Sequence, residues 1–192
     1  MSKKQEDYTF QTYLECVNRT WKHDTEEKEH SHLSWALIEE IGEFAGWMKK
    51  INGYGKERDA LMNAEILGEL GDLTYYIVKT ISKSEGYNEN TTFIPENFEH
   101  LVNEAKEHTA FSIASTYLKF FLDGNLSGML FCLQVLILNQ GFTLQEVLSA
   151  NVAKLKARHG DKFRDSSTEE AGRNRQVELE ELIEAAKNEQ RN

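Results

Sequence analysis

The pattern of hydrophobic positions predicts helices along almost the whole chain. Apolar residues recur every three or four positions, the repeat of one helix face, and no segment alternates as a strand does. Glycines, polar runs and the single proline interrupt this pattern. The sequence therefore predicts an all-α fold, a helical bundle with helices at about residues 7–22, 33–51, 59–84, 96–122, 126–139 and 143–159.

Two segments depart from the amphipathic pattern. Residues 126–139 contain the nearly all-apolar run MLFCLQVLIL, which is too short to cross a membrane and so predicts a deeply buried helix. Residues 165–192 are polar and carry eight acids against four bases, with a helical segment at about 176–187. We interpret 165–192 as a charged tail that forms a separate helix or an oligomer contact.

Two acidic tetrads of the same form lie in the second and third predicted helices. Glu40-Ile-Gly-Glu43 and Glu69-Leu-Gly-Asp72 are separated by 25 residues. Residues three apart are neighbours on a helix, so each tetrad presents two carboxylates side by side. Each pair borders an apolar stripe, and packing of the two stripes would bring four carboxylates together. The stripes are Leu37, Ile41, Phe44 and Met48, and Ile66, Leu70, Leu73 and Ile77.

A cluster of this kind needs a cation, because adjacent acids beside a core cannot all stay ionised. Oxygen ligands favour Mg²⁺, with Mn²⁺ as a substitute. Gly42 and Gly71 each cost up to about 1 kcal/mol inside a helix relative to alanine, which predicts a close backbone approach at both. The acid pairs Glu104/Glu107 and Glu178/Glu181 lack the apolar setting, so we interpret them as solvated faces.

A basic face on the last long helix is the natural counterpart of the acids. Asn151, Lys154 and Arg158 follow the spacing i, i+3, i+7 and share one side of that helix. Arginine and lysine suit phosphate oxygens, and asparagine can donate to and accept from a sugar or base. Four further candidates for substrate contact accompany the tetrads: Lys50, Lys56 and the aromatic residues Trp47 and Tyr76.

The net charge and the composition limit the kinds of function that the chain can have. The 192-residue chain has a net charge of −10, which argues against a general DNA- or RNA-binding surface. Its two cysteines have no metal-ligand spacing, and it shows neither a signal-peptide core nor a membrane-spanning run. We therefore expect a cytoplasmic protein with no membrane partner and no nucleic acid polymer as partner.

The charged connector over residues 23–32 offers a competing metal motif. Glu27-x-x-His30 and Glu29-x-x-His32 match the ligand spacing of di-iron bundles. That design needs such motifs on two helices that face each other, whereas these overlap in one polar run. We interpret the connector as solvated surface, with His32 close enough to the Glu40 helix to reach a ligand.

Together these motifs resemble the MazG-like all-α NTP pyrophosphatases. The spacing of Glu40, Glu43, Glu69 and Asp72 is similar to that family's E-x-x-E and E-x-x-D signature. Trp47–Lys56 resembles its Gly-Lys loop, and Asn151–Arg158 resembles its N-x-x-K-L-x-x-R helix. The resemblance covers about residues 33–85 and 141–164.

The resemblance implies a bundle of that family's type and Mg²⁺-dependent hydrolysis of a nucleoside triphosphate to the monophosphate and pyrophosphate. It implies that Glu40, Glu43, Glu69 and Asp72 bind the metal, unless one of them orients the attacking water. It also implies that Lys154 and Arg158 hold phosphates, that Asn151 holds the nucleoside, and that the chain forms a dimer or tetramer.

One departure from compact members concerns the middle of the chain. We expect residues 1–164 to form the family-like domain, with 86–140 as a two-helix insertion and 165–192 as the tail. The inserted helices would supply packing that compact members obtain from a partner subunit. An alternative function on the same scaffold is a non-catalytic regulator that binds nucleotide and metal without turnover.

Overall fold

The computed structural model describes residues 7–95, 98–159 and 175–188. Within these ranges the chain forms eight α-helices and one π-helical turn, Lys49–Gly53, and no β-strand. The predicted all-α class is confirmed. The helices are α1 Phe10–Thr20, α2 Glu26–Met48, α3 Ala60–Ser82, α4 Glu99–Glu107, α5 Ala110–Leu122, α6 Leu126–Asn139, α7 Leu144–His159 and α8 Arg175–Asn188.

Helices α2 and α3 pack along each other and carry the two acidic tetrads. Each begins at a side-chain cap: Thr25 accepts from the backbone N–H of Lys28, and Asp59 accepts from that of Met62. The predicted apolar stripes meet in the core, where their side chains are at most 3% exposed apart from the partly buried Met48. Burial of each such aliphatic side chain contributes about 1.5–3 kcal/mol.

Helix α3 is the centre of the bundle. Helices α1, α2, α6, α7 and α8 all pack against it. The apolar helix α6 lies in the core as predicted, with Leu133, Leu136 and Ile137 inaccessible to solvent. Because α3 touches helices on most of its circumference, any polar group on its surface faces either a neighbouring helix or a cleft between helices.

The predicted helix at 96–122 is wrong, because two helices occupy this stretch. Helix α4 ends at Glu107, and the backbone of the next residue, His108, is extended. The Thr109 side chain then caps α5 by accepting from the Ser112 N–H. Asn139 donates to the carbonyls of Ala105 and His108 and so satisfies the end of α4. The described residues between 86 and 140 therefore form three helices, where two were predicted.

The predicted connector at 23–32 is also wrong over most of its length. Helix α2 begins at Glu26 rather than near Leu33, because Thr25 caps it and acidic residues in the first turn stabilise the positive helix N-terminus. His32 consequently lies on the same helix as Glu40, about two turns earlier.

The described part of the tail packs on the bundle. Helix α8 contacts α3 and α7, and its Leu182 is 4% exposed. Within the described ranges, no single helix is long and apolar enough to cross a membrane. The helices α6 and α7 reach that length and composition only as a pair, bent by 96°.

Candidate functional site

One cleft of about 640 Å³ contains most of the predicted site residues. Side chains from α2, α3, α7 and α8 line it, and the end of α1 closes one side. Of the predicted residues, seven line the cleft: Glu40, Glu43, Glu69, Asp72, Tyr76, Lys154 and Arg158. Acidic and basic groups from distant parts of the chain therefore meet in one place.

Three carboxylates from two helices form the acidic part of the cleft. Glu40 and Glu43 on α2 and Glu69 on α3 each offer an oxygen within 4.8 Å of the other two. Trp47 donates its indole N–H to Glu69 at 3.3 Å, which restrains that side chain. A single ion between these oxygens would be shared by both tetrads.

Burial makes full ionisation of this cluster unfavourable. Burial, followed by repulsion from Asp72 and Glu69, raises the pKa of Glu40 to about 9. Burial, followed by repulsion from Asp72 and Glu43, raises the pKa of Glu69 to about 8. A divalent cation would offset both effects, because it replaces the protons with a positive charge.

Asp72, the fourth acid, has different partners. Asn151 donates its amide N–H to one Asp72 oxygen at 3.0 Å, and the Lys154 ammonium binds the other oxygen. Tyr13 on α1 donates its hydroxyl to the Asn151 carbonyl oxygen at 2.7 Å. Asn151 is only 1% exposed and lies behind the cleft wall rather than on it. Asp72 is thus oriented by groups from α1 and α7.

The helical glycines of the two tetrads have unlike surroundings. A Cβ at Gly71 would lie 3.0 Å from the Asn151 Cβ and 3.1 Å from its amide nitrogen, so this glycine lets α7 approach α3. The predicted close approach is confirmed at Gly71, but the neighbouring group is the Asn151 side chain and not the backbone. At Gly42 a Cβ would have no neighbour within 4 Å, so the prediction is wrong for that position.

Arg158 is paired with an acid from the tail. Its Nε and Nη2 atoms donate to the two Glu178 oxygens at 3.0 and 2.8 Å. Glu178 is 4% exposed, so the prediction that it lies on a solvated face is wrong. Helix α8 turns this acid inward because Leu179, Leu182 and Ile183 pack on the core beside it.

Aromatic rings cover another wall of the cleft. Ring centroids of Trp21 and His32 are 5.2 Å apart, and those of His32 and Tyr76 are 5.7 Å apart. His32 Nδ1 lies 2.8 Å from His23 Nε2, a hydrogen bond between the two imidazoles. Burial, followed by repulsion from His23, lowers the pKa of His32 below its usual 6.5. These rings, tilted against one another by 33° and 49°, form a partly apolar wall within the same cleft as the acids.

The remaining predicted substrate contacts lie outside the cleft lining. The Lys50 ammonium lies 3.2 Å from the centre of the Trp47 ring, and Trp47 is connected to the acids by its hydrogen bond to Glu69. Lys56 is exposed beyond the π-helical turn. Glu29 of the di-iron-like motif bonds to Trp21 and pairs with Lys83, so this carboxylate does not join the acidic cluster.

Comparisons of the chain with protein-family models, with curated proteins and with solved structures find no match.

Sequence reasoning missed several residues of this site. Tyr13 fits the apolar face of α1, and Trp21 directly follows that helix at the same apolar spacing, so neither stands out as a site residue in the sequence. Nothing in the sequence around His23 indicates a site residue either. Glu178 has a weak signal, because the apolar residues at 179, 182 and 183 indicate a packed face next to it.

Proposed function

We propose that this protein is a Mg²⁺-dependent nucleoside triphosphate pyrophosphohydrolase related to the MazG-like family. It would convert a (d)NTP and water to the (d)NMP and pyrophosphate, in cleaning or control of the nucleotide pool. One observation carries the proposal. Glu40, Glu43 and Glu69 converge within 4.8 Å in a cleft that Lys154 and Arg158 also line.

The residues of the acidic cluster fit a hard divalent cation. All three groups offer carboxylate oxygens, the donors that Mg²⁺ and Mn²⁺ prefer, and two of them are too desolvated to ionise readily without one. Such an ion, when bound, neutralises phosphate oxygens and lowers the pKa of a coordinated water.

The chain's own residues would orient the substrate. Lys154 and Arg158 supply positive charge for the phosphates, as the resemblance implies. Tyr76, Trp21 and His32 offer rings on which a nucleobase can stack. The cleft is large enough for a nucleotide, because typical ligand pockets span about 300–1,000 Å³.

In the proposed reaction the water oxygen bonds to the α-phosphorus and its proton passes to the solvent, while the bond from that phosphorus to the oxygen bridging the β-phosphorus breaks. Pyrophosphate leaves with that bridging oxygen. Asp72 would act as a fourth metal ligand or orient the water, with Asn151 and Lys154 fixing its two oxygens. The αβ position of cleavage rests on the family resemblance.

A substrate panel tests the proposal. Common and modified NTPs and dNTPs are incubated with the protein and Mg²⁺ or Mn²⁺, and pyrophosphate is measured. We expect release from at least one substrate, loss of release in Glu69→Ala, and no effect of Glu107→Ala, an exposed acid on α4. Absence of pyrophosphate from every substrate with either metal would refute the proposed activity.

A second candidate function is a non-catalytic regulator that binds nucleotide and metal. The pairing of Lys154 with Asp72 and of Arg158 with Glu178 favours it, because both cations are already matched by acids of the chain. Tight nucleotide binding without turnover in calorimetry would support this function over the enzyme.

We also propose a cytoplasmic homo-oligomer, a dimer or tetramer, that binds neither membranes nor nucleic acid polymers. Exposed large apolar side chains on α2 and α5 support association, notably Trp35 at 70%, Phe111 at 82% and Leu122 at 82% exposure.

A further inference from the structure

Tyr13 is a fully buried tyrosine whose hydroxyl points at the back of the site. It is 0% exposed and donates to the Asn151 carbonyl oxygen at 2.7 Å. A buried hydroxyl costs free energy unless it forms a hydrogen bond. A phenylalanine would fill the same core space without that cost, so the hydroxyl has to be explained by its partner.

The direction of each hydrogen bond follows from Asp72. An ionised carboxylate only accepts, so the Asn151 nitrogen must face Asp72, at 3.0 Å. The Asn151 oxygen then faces Tyr13, and the phenol must be the donor. Burial, followed by repulsion from Asp72, raises the pKa of Tyr13 well above its usual value, so the hydroxyl keeps its proton.

We propose that Tyr13 is a positioning residue, which acts through Asn151 to fix the Asp72 carboxylate in the site. The inference rests on the proposed function and adds a residue that lies outside the cleft lining. Without the hydroxyl, the Asn151 amide can turn over and present its oxygen to Asp72. The hydrogen bond from the Asn151 N–H to Asp72 would then be replaced by repulsion between two oxygens, and the Asp72 side chain would be free to rotate.

The packing around Asn151 makes this chain of contacts specific. Gly71 leaves the space that Asn151 occupies against α3, and Lys154 binds the second Asp72 oxygen. Helices α1, α7 and α3 are thus joined at the acid by two hydrogen bonds in series. Groups that orient metal ligands in this way typically affect metal affinity or activity by about 10–100-fold.

Tyr13→Phe tests the inference, with Tyr117→Phe as the matched control. Tyr117 is also 0% exposed, but its hydroxyl has no hydrogen-bond partner among the described residues. We expect kcat for pyrophosphate release to fall by about tenfold or more in Tyr13→Phe, with KM nearly unchanged. The melting temperature should fall by a few degrees, because the buried Asn151 oxygen loses its donor. Tyr117→Phe should keep wild-type kinetics. Equal kcat for wild type and Tyr13→Phe would overturn the inference.

A double-mutant cycle separates positioning from a general packing effect. If Tyr13 acts through Asn151, Tyr13→Phe should reduce kcat in the wild type but add nothing to Asn151→Ala. Full additivity of the two losses would contradict the inference, because a packing defect does not need the Asn151 amide.

A readout independent of turnover distinguishes this inference from the proposed function. The Asn151 side-chain amide is followed by ¹⁵N–¹H NMR, with Asn151→Ala used to assign its signals. Tyr13→Phe should shift these signals and speed their exchange with solvent, whereas Tyr117→Phe should not. A wild type that releases no pyrophosphate refutes the enzyme alone; unmoved Asn151 signals in Tyr13→Phe refute the positioning role.

Discussion

Gly42 and Gly71 occupy the same place in their tetrads but have different neighbours. Gly71 lies against Asn151, whereas Gly42 faces open space. The repeated Glu–aliphatic–Gly–acid pattern therefore hides two unlike environments. Alanine at each position gives a matched pair of variants that differ only in what the new methyl group meets.

We expect Gly71→Ala to lower both activity and stability, because the methyl group would push Asn151 away from Asp72. Gly42→Ala should preserve activity and stabilise the protein by up to about 1 kcal/mol, the helix-propensity difference between glycine and alanine. Thermal unfolding and pyrophosphate release measure the two effects. Similar results for both variants would contradict the packing of Asn151 on Gly71.

The acidic cluster should make the metal-free protein less stable as pH rises. The pKa of Glu40 is raised from 4.5 to about 9 and that of Glu69 from 4.5 to about 8. Below 4.5 both groups are protonated in the folded and unfolded states, so their stabilising contribution is fully present. Between 4.5 and these raised values the folded state holds more protons, so the free energy of unfolding decreases with pH.

We expect the melting temperature of the metal-free protein to fall from pH 7 to pH 9, with a smaller fall in saturating Mg²⁺. Each additional proton held by the folded state changes the free energy of unfolding by about 1.4 kcal/mol per pH unit. Circular dichroism in chelator and in Mg²⁺ gives the melting temperature as a function of pH for the two states. Glu40→Gln should make the melting temperature of the metal-free protein less dependent on pH. A metal-free melting temperature that rises over this range would refute the desolvated cluster.

At the scale of residues, the sequence predicts groups whose spacing has a chemical reason. The acids of the two tetrads, Lys154 and Arg158 belong to regular helical patterns, and the structure brings them to one cleft. Tyr13 could not be predicted as a site residue, because an aromatic residue on the apolar face of α1 is indistinguishable from core. Its partner lies 138 positions away.

At the scale of elements, α8 is the feature with the largest consequence for the site. It places Glu178 on Arg158, the residue proposed to hold a phosphate. The two groups form a paired contact that a substrate phosphate would have to share or replace. If Arg158 holds a phosphate as proposed, the acid of α8 and the substrate would compete for one guanidinium.

We expect Glu178→Gln to lower KM for the triphosphate by about fivefold to tenfold. The substitution replaces a charged hydrogen bond, worth about 1.5–3 kcal/mol, with a neutral one worth about 0.5–1.5 kcal/mol, and each 1.4 kcal/mol is a factor of ten. Steady-state kinetics of pyrophosphate release give KM for the wild type and the variant. Glu180→Gln, an exposed acid on the same helix, is the control and should leave KM unchanged. A higher KM in Glu178→Gln would show that Glu178 supports Arg158 rather than competes with substrate.

Element boundaries were predicted less well than element types. The break between α4 and α5 depends on the Thr109 cap and on Asn139 from a distant helix, and neither interrupts the apolar periodicity. The early start of α2 depends on the Thr25 cap. This cap lies in a charged run without apolar periodicity, so the sequence does not indicate a helix there. Hydrophobic spacing indicates where a helix packs, whereas capping side chains decide where it begins and ends.

At the scale of the whole molecule, the exposed apolar side chains predict self-association. Phe111 and Leu122 on α5 are each 82% exposed, and Trp35 on the neighbouring α2 is 70% exposed. Sedimentation velocity should show a dimer or tetramer, and Phe111→Glu should shift it to smaller species. A wild type that sediments only as a monomer at all concentrations would contradict the proposed oligomer.

The proposed function requires that Glu40, Glu43 and Glu69 hold the cation that a triphosphate needs for hydrolysis. ³¹P NMR of a (d)NTP incubated with the protein, with and without Mg²⁺, tests it most directly because the products are seen together. We predict nucleoside monophosphate and pyrophosphate in equal amounts with Mg²⁺, and neither in chelator or with Glu43→Gln. Diphosphate with inorganic phosphate, or product formation that is independent of Mg²⁺ and of Glu43, would contradict the claim.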